Sequence, residues 1–315
     1  MVTIIGAGPI GLACGIALQR QNIPFRIFDK GCLTNSVYHY PTNMTFFSTS
    51  DRLEIGEVPF ISHGMKPTRR EALEYYRRVA EHFALPLHLY EEVLEVQGKD
   101  GQFMISTAKN TYACDKVVIS SGFYGLPHRM NIPGDELPKV KHYYDDPHPY
   151  AFMKVLVVGA GNSAVDVALE SYRCGSEVTM VVREPQIKET VKYWVKPDIE
   201  NRIHEGAIRA YFNSELLEIR EKEVVIQTPD GTRTIENDFV MAMTGYEPDF
   251  ELLERIGIDF HGKDRIPSFD EKTHESNVPG IYLAGVVCGG LNTSKWFIEN
   301  ARDHAGRIAG HIASL

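Results

Sequence analysis

The sequence predicts an α/β fold made of two Rossmann-like three-layer domains, the second inserted into a discontinuous first. Three observations predict it. Val2-Thr3-Ile4-Ile5 is short, apolar and rich in β-branched residues, and it runs straight into Gly6-Ala7-Gly8-Pro9-Ile10-Gly11. Lys154-Val155-Leu156-Val157-Val158 runs in the same way into Gly159-Ala160-Gly161-Asn162-Ser163-Ala164. A further strand-like run, Ile281-Tyr282-Leu283-Ala284-Gly285, returns after the second unit has ended and has to complete the first.

In the first unit a helical pattern (Leu12, Ile16, Ala17) follows the glycines. A second strand, Phe25-Arg26-Ile27-Phe28, then ends at Asp29, 18 residues beyond Gly11. Glycines at these spacings permit a tight turn and close approach to a pyrophosphate, which rests on the helix N-terminus. Asp29 is placed to accept hydrogen bonds from a ribose. A bare G-x-G-x-x-G is weak evidence, whereas strand, turn, helix, strand and acid together are strong. Lys116-Val117-Val118-Ile119-Ser120-Ser121-Gly122 reads as a buried strand ending in small residues. The Gly285 strand leads to a glycine-rich turn and a long helix from about Thr293. The first domain is therefore expected over 1–121 plus 246–315 and the second over 122–245. Asp145-Asp146-Pro147-His148-Pro149-Tyr150 is the turn-rich way in, and Thr244-Gly245-Tyr246-Glu247-Pro248-Asp249 the return crossing.

The second unit repeats the first with one informative change. Its second strand, Glu177-Val178-Thr179-Met180-Val181-Val182, ends at Arg183 where the first unit has an acid. An acid there selects the 2′-hydroxyl of NAD(H), and a cation accommodates the 2′-phosphate of NADP(H). Arg183, with Lys188 and Lys192 nearby, favours NADPH, although Glu184 pulls the other way. Two such units imply two dinucleotides with their reactive rings brought together, as hydride transfer from nicotinamide to flavin requires. The expected cofactors are FAD in the first unit and NADPH in the second.

Composition narrows the class. With 43% hydrophobic and 24% charged residues the chain is globular. A formal charge of −9 without a basic run argues against a nucleic-acid partner. No apolar stretch approaches the ~18 residues that span a bilayer. The N-terminus enters a strand at once, which leaves no signal peptide and points to the cytoplasm. Cysteines at 14, 32, 114, 174 and 288 form no C-x-x-C pair and no zinc spacing, so they read as reduced, mostly packing thiols. The 12 histidines show no H-x-x-x-H arrangement, and no metal is expected.

These features together resemble the thioredoxin-reductase-like flavoproteins, and within them the YpdA-type bacillithiol disulfide reductases. The resemblance rests on Tyr40-Pro41-Thr42 with Thr45-Phe46-Phe47-Ser48, Ser50-Asp51-Arg52-Leu53 and Gly56-Glu57-Val58-Pro59-Phe60. It rests also on Leu137-Pro138-Lys139-Val140 with His142-Tyr143, Asp146-Pro147-His148-Pro149-Tyr150, and Phe297-Ile298-Glu299-Asn300. It covers essentially the whole chain. It implies an FAD enzyme that uses NADPH to reduce the disulfide of a low-molecular-weight thiol, acting as a homo-oligomer. It implies FAD contacts at Gly6, Gly8, Pro9, Ile10, Gly11, Asp29, Lys30, His39, Phe47, Val93 (adenine edge), Gly122 and Gly285. A helix starting at Thr293, Ser294 and Lys295 would aim its amides at the flavin pyrimidine. The implied NADPH contacts are Gly159, Gly161, Asn162, Ser163, Ala164, Arg183 and Lys188.

Two departures qualify that picture. Thioredoxin reductases keep a C-x-x-C pair in the inserted domain, and this chain has none. The bacillithiol reductases often place a cysteine where this chain has Ile10. Cys14 lies one helical turn behind Ile10, about 6 Å along the axis and away from the flavin. Cys14 and Cys288 thus remain weak redox candidates, and Trp296 a candidate wall of the substrate site. Three functional readings stand: a small-disulfide reductase; another NADPH-flavin enzyme such as a ferredoxin or quinone reductase or a monooxygenase; and a redox sensor with little turnover.

Overall fold

The computed structural model describes all 315 residues. The chain forms two compact units, Met1–Leu126 with Tyr246–Leu315, and Pro127–Gly245. The first crossing falls a few residues later than the expected 121/122. Tyr124 packs between Tyr40 and Tyr246, with ring centroids 5.0 and 4.3 Å away, and so stays with the first unit.

In the first unit, strand β1 (Val2–Ile5), helix α1 (Pro9–Arg20) and strand β2 (Phe25–Phe28) follow one another without slack. A five-stranded sheet runs in the order Ile281–Leu283, Lys116–Ile119, β1, β2, Leu87–His88, every pair parallel. All four residues of β1 are buried, as expected of a parallel strand covered on both faces. Helices α1, Arg69–His82 and the C-terminal His304–Ser314 contribute to one core cluster with β1; an antiparallel sheet of Val93–Lys99, Gln102–Thr107 and Thr111–Cys114 contributes to another.

The second unit repeats this plan. Its parallel sheet runs Arg209–Tyr211, Glu177–Val181, Lys154–Val158, Phe239–Ala242, Val140–Lys141. Helix Asn162–Arg173 follows its glycine turn, and an antiparallel sheet of Glu215–Ile219, Glu223–Thr228 and Gly231–Glu236 accompanies it. No helix is long and apolar enough to cross a membrane.

One expectation fails. No long helix starts at Thr293. Residues 291–297 form turns, a single helical turn spans Ile298–Ala301, and the last helix begins at His304. Asn300 sets the start: its side chain accepts from Phe297 N at 2.7 Å and donates to Lys295 O at 3.0 Å, closing the backbone before the helix opens.

Helix Arg69–His82 shows how local chemistry fixes an element. Thr68 and Glu71 form a capping box, and the Glu71 carboxylate also accepts from His63 N at 2.8 Å, tying the preceding loop to the helix. Chiefly the Thr68 and His63 amides hold its pKa down at about 2, against an ordinary 4.5. A carboxylate with a depressed folded pKa stabilises above its unfolded value and loses that contribution as pH falls through the folded one. The melting-temperature gap between wild type and Glu71→Ala is therefore expected to stay constant above about pH 5.5 and to narrow below about pH 4.5. A gap that does not change down to pH 3 would show that the carboxylate charge carries none of it.

Candidate functional site

Each glycine turn lies at the carboxyl end of the central strand of its sheet, where strand order reverses and an open parallel sheet leaves a ligand crevice. At the first turn, Gly6 takes φ +109° and donates its N–H to Phe28 O at 2.7 Å. A Cβ at Gly11 would collide with the Gly6 carbonyl oxygen and lie 2.8 Å from Ser120 Oγ, so helix α1 presses on the strand as closely as a backbone allows. Gly159 repeats the first role, with φ +127° and Met243 O 2.6 Å from its would-be Cβ.

The middle glycines are different. Gly8 (φ −74°) and Gly161 (φ −89°) have backbone angles open to any residue, and a Cβ on either would meet nothing within 4 Å. Neither strain nor packing inside the protein asks for glycine there. Each is the N-cap of a helix that has no side-chain cap, so the first-turn N–H groups face open space. An open helix N-terminus of this kind is where a phosphate would sit, and a methyl group at either glycine would project into that space.

Asp29 closes the first cradle. Its Oδ2 accepts from Ala7 N and its Oδ1 from Gly31 N, both at 2.8 Å, and each oxygen keeps lone-pair capacity for a ribose hydroxyl. Burial pushes its pKa up, opposed by those two amides and by Lys30. Lys30 Nζ lies against Gly125, where a Cβ would stand 3.2 Å away, and Gly122 (φ +73°) opens towards Ser36. His39 is held by its Nδ1 against Asn35 O at 2.8 Å, and Tyr124 OH donates to its carbonyl at 3.1 Å. These residues gather round the short helix Asn35–Tyr38. Val93 is buried at the head of its strand. Phe47 is half exposed, with Lys66 Nζ 4.9 Å above its ring. Thr293, Ser294 and Lys295 lie in turns rather than at a helix start, so the expected row of helix amides is not there.

In the second unit Arg183 is exposed and makes no hydrogen bond or ion pair, which leaves its guanidinium available. Lys188 is exposed and faces Glu184 at 3.3 Å. Lys192 is not available: it is buried and bound to Asp166 Oδ2 at 2.7 Å. Asn162 spends its side chain on the same loop, accepting from Lys192 N at 2.8 Å and donating to Thr190 O at 3.2 Å. What it, Ser163 and Ala164 offer a ligand in common is the start of the helix.

The thiols divide by burial. Cys14, Cys114 and Cys288 are buried, Cys32 and Cys174 partly exposed, and none is paired. Burial alone pushes the Cys14 thiol up to about 12, and burial first, then Cys14 itself, pushes Cys288 above the ordinary thiol range. Neither is a ready thiolate.

One constellation escaped the sequence reading. His274, Cys288 and His304, all buried, bring their Nδ1/Nε2 and Sγ atoms within 4.8 Å of one another. A column of rings runs through them: Phe269 on His274 (5.3 Å), His274 on His304 (4.0 Å), His304 against Trp296 (4.6 Å). Trp296, partly buried, closes one end of this column. His304 Nδ1 takes the N–H of Gly285 at 3.1 Å, and a Cβ at Gly285 would stand 3.3 Å from Ile10. The first fingerprint and the C-terminal third therefore meet at Gly285. Local spacing could not reveal this, because the three ligating types come from three separate segments.

Residues 3–285 match the family model described as pyridine nucleotide-disulphide oxidoreductase. Bacilliredoxin reductase Bdr of Bacillus subtilis is 42% identical over 312 residues, 98% of this chain and 96% of that protein. Two solved structures named bacillithiol disulfide reductase Bdr (YpdA) superpose closely. That from Bacillus cereus has a TM-score of 0.98 at 39% identity, covering 100% of this chain and 98% of its own. That from Staphylococcus aureus has 0.96 at 38%, covering 99% and 98%. The thioredoxin reductase of T. acidophilum, at 20% identity and a TM-score of 0.77, shares the fold. With two strand–glycine turn–helix units and a match across nearly its whole length, this chain belongs to the pyridine nucleotide-disulphide oxidoreductase family and is an enzyme of flavin and pyridine-nucleotide chemistry.

Proposed function

We propose that this chain is an FAD-dependent NADPH oxidoreductase that reduces the disulfide of a low-molecular-weight thiol, of the bacillithiol disulfide kind, in the cytoplasm and as a homo-oligomer. The observation that carries the reading is the whole-length likeness to bacillithiol disulfide reductases, joined to two open, uncapped glycine cradles in one chain. FAD goes to the first cradle, where Asp29 suits an unphosphorylated ribose. NADPH goes to the second, where Arg183 is a free cation at the 2′ position. When bound, the nicotinamide would supply a hydride and the flavin two-electron redox chemistry, which with one further proton would convert the disulfide into two thiols.

This chain's own residues bind and orient. Gly6 and Gly11 would let the helix amides reach the cofactor's phosphates, and Ile10 lies against Gly285 as an apolar wall. No C-x-x-C pair stands by to exchange with a protein dithiol. The relative from Bacillus subtilis is named bacilliredoxin reductase, and a redoxin is the alternative acceptor to be tested.

An anaerobic titration decides between acceptors. NADPH should bleach the yellow holoenzyme, and bacillithiol disulfide should restore the flavin absorbance within turnover time. Restoration by an oxidised bacilliredoxin alone would replace the small-thiol reading, and restoration by neither would remove both. Arg183→Ala is expected to cost about 1.5–3 kcal/mol of NADPH preference, the size of a charge-assisted hydrogen bond, read as the ratio of kcat/KM for NADPH and NADH. Equal use of the two coenzymes by wild type would defeat the argument from Arg183. A small thiol reagent at pH 8 should modify Cys32 and Cys174 in the native protein. Cys14, with its thiol held near 12, should react only on unfolding. Native labelling of Cys14, or loss of disulfide turnover in Cys14→Ala with flavin reduction intact, would make that cysteine the redox residue.

A further inference from the structure

The His274–Cys288–His304 cluster has the composition of a soft-metal site, and its hydrogen bonds decide whether it is one. His274 directs Nδ1 at Leu283 O (3.1 Å); a carbonyl only accepts, so Nδ1 carries the proton and Nε2 keeps a lone pair. That is the tautomer of a histidine ready to ligate. His304 is set the other way. Its Nδ1 accepts the Gly285 N–H at 3.1 Å, so the neutral ring carries its proton on Nε2 and has no second lone pair to offer. Both Nε2 atoms, and Trp296 Nε1, are buried without a protein partner. Only His274 Nε2 and the Cys288 sulfur are then left to meet a cation, fewer than the three or four protein ligands a zinc site needs.

What His304 does is therefore read from its one committed bond. Gly285 has φ +83°, where the backbone has few ways to satisfy its amide locally, and it faces Ile10 of the first fingerprint. We propose that His304 is a positioning residue for the flavin: its Nδ1 lone pair captures the Gly285 amide and so holds the Gly285 turn against Ile10 in the one shape that borders the flavin ring. This rests on the reading above that FAD occupies the first cradle. The supporting geometry is the ring column. Edge contact from Trp296 and the tilted ring of His274, itself stacked on Phe269, hold the His304 ring from both sides. His304 is 1% exposed, and burial, with His274 and Arg307 adding, pushes its pKa down to about 3, so the lone pair is not lost to protonation at working pH. Its place as first residue of the last helix, which shares a core cluster with α1, makes the C-terminal helix a brace for the cofactor site.

Two isosteric substitutions separate this role from simple packing. Asn places its amide oxygen where His has Nδ1, and Gln places its own where His has Nε2. In the full-length holoenzyme, His304→Gln should raise the FAD dissociation constant about tenfold, as expected for a buried amide stripped of its acceptor, and shift the flavin midpoint potential. His304→Asn should stay within about threefold of wild type and keep its potential. Asn and Gln variants that behave alike, whether both intact or both impaired, would overturn the proposal. If either variant does not fold, a nitrogen–proton correlation spectrum of wild-type holoenzyme reads the tautomer directly: His304 with Nε2 protonated and Nδ1 bare is expected, and the reverse overturns the assignment. One zinc or copper ion per chain, lost from both variants, would overturn it by making His304 a ligand. Wild-type protein that holds no FAD would instead remove the cofactor reading, and this role with it, whereas flavin-loaded protein with equal variants removes this role alone.

Discussion

The structure depends on how closely a helix can be brought to a strand. At the first fingerprint α1 presses against β1 until Gly11 touches the Gly6 carbonyl and Ser120, which leaves no room for a Cβ. Because the approach is so close, the helix N-terminus lies directly over the carboxyl end of the central strand, with its amides pointing into the crevice. Ser120 reinforces the contact: its hydroxyl lies 3.1 Å from Ile5 O and 3.0 Å from Gly6 O. A backbone collision has no rotamer to relieve it, so any side chain at Gly11 would push the helix off the strand and the cradle out of shape.

The strand, glycine turn and helix appear twice, with Ala164 where the first copy has Gly11, and the copies differ in charge as well. The first copy ends its second strand at Asp29, which is half buried and anchors the turn through Ala7 and Gly31. The second ends at Arg183, which is exposed and uncommitted. In dinucleotide folds an acid at this place suits an unphosphorylated sugar, and a cation an extra phosphate. Fold duplication thus repeats one plan with an acid at the end of the second strand in one copy and a cation in the other.

Between the fingerprints and the C-terminus the protein invests buried polar chemistry in position rather than reaction. Cys14 and Cys288 are shielded thiols well above their ordinary range, His304 is a neutral ring, and His274 is held to a backbone carbonyl. Groups that look reactive in the sequence are, by burial, among the least reactive in the molecule. The chemistry then belongs to the cofactors and the protein's work is geometry, as expected of enzymes that route electrons through bound rings.

The architecture was legible in the sequence because it rests on local signals. Val2–Ile5 before Gly6, and Lys154–Val158 before Gly159, are nearest-neighbour patterns, and period and turn chemistry determine strand, turn and helix without reference to the rest of the chain. Asp29 and Arg183 could be singled out because their roles follow from their distance along the same motif. The helix expected from Thr293 was misread because a side-chain bond, Asn300 to the backbone at Phe297 and Lys295, overrode the apolar pattern. Lys192 looked available beside Arg183 until folding brought Asp166 to it. The meeting of Ile10, Gly285, His274, Cys288 and His304 was not legible at all, since no spacing rule links residues from opposite ends of a chain. By itself the sequence determined the two cradles and their charges; tertiary structure alone decided which thiols, cations and rings would be free to act, because burial and pairing are properties of what the fold brings together.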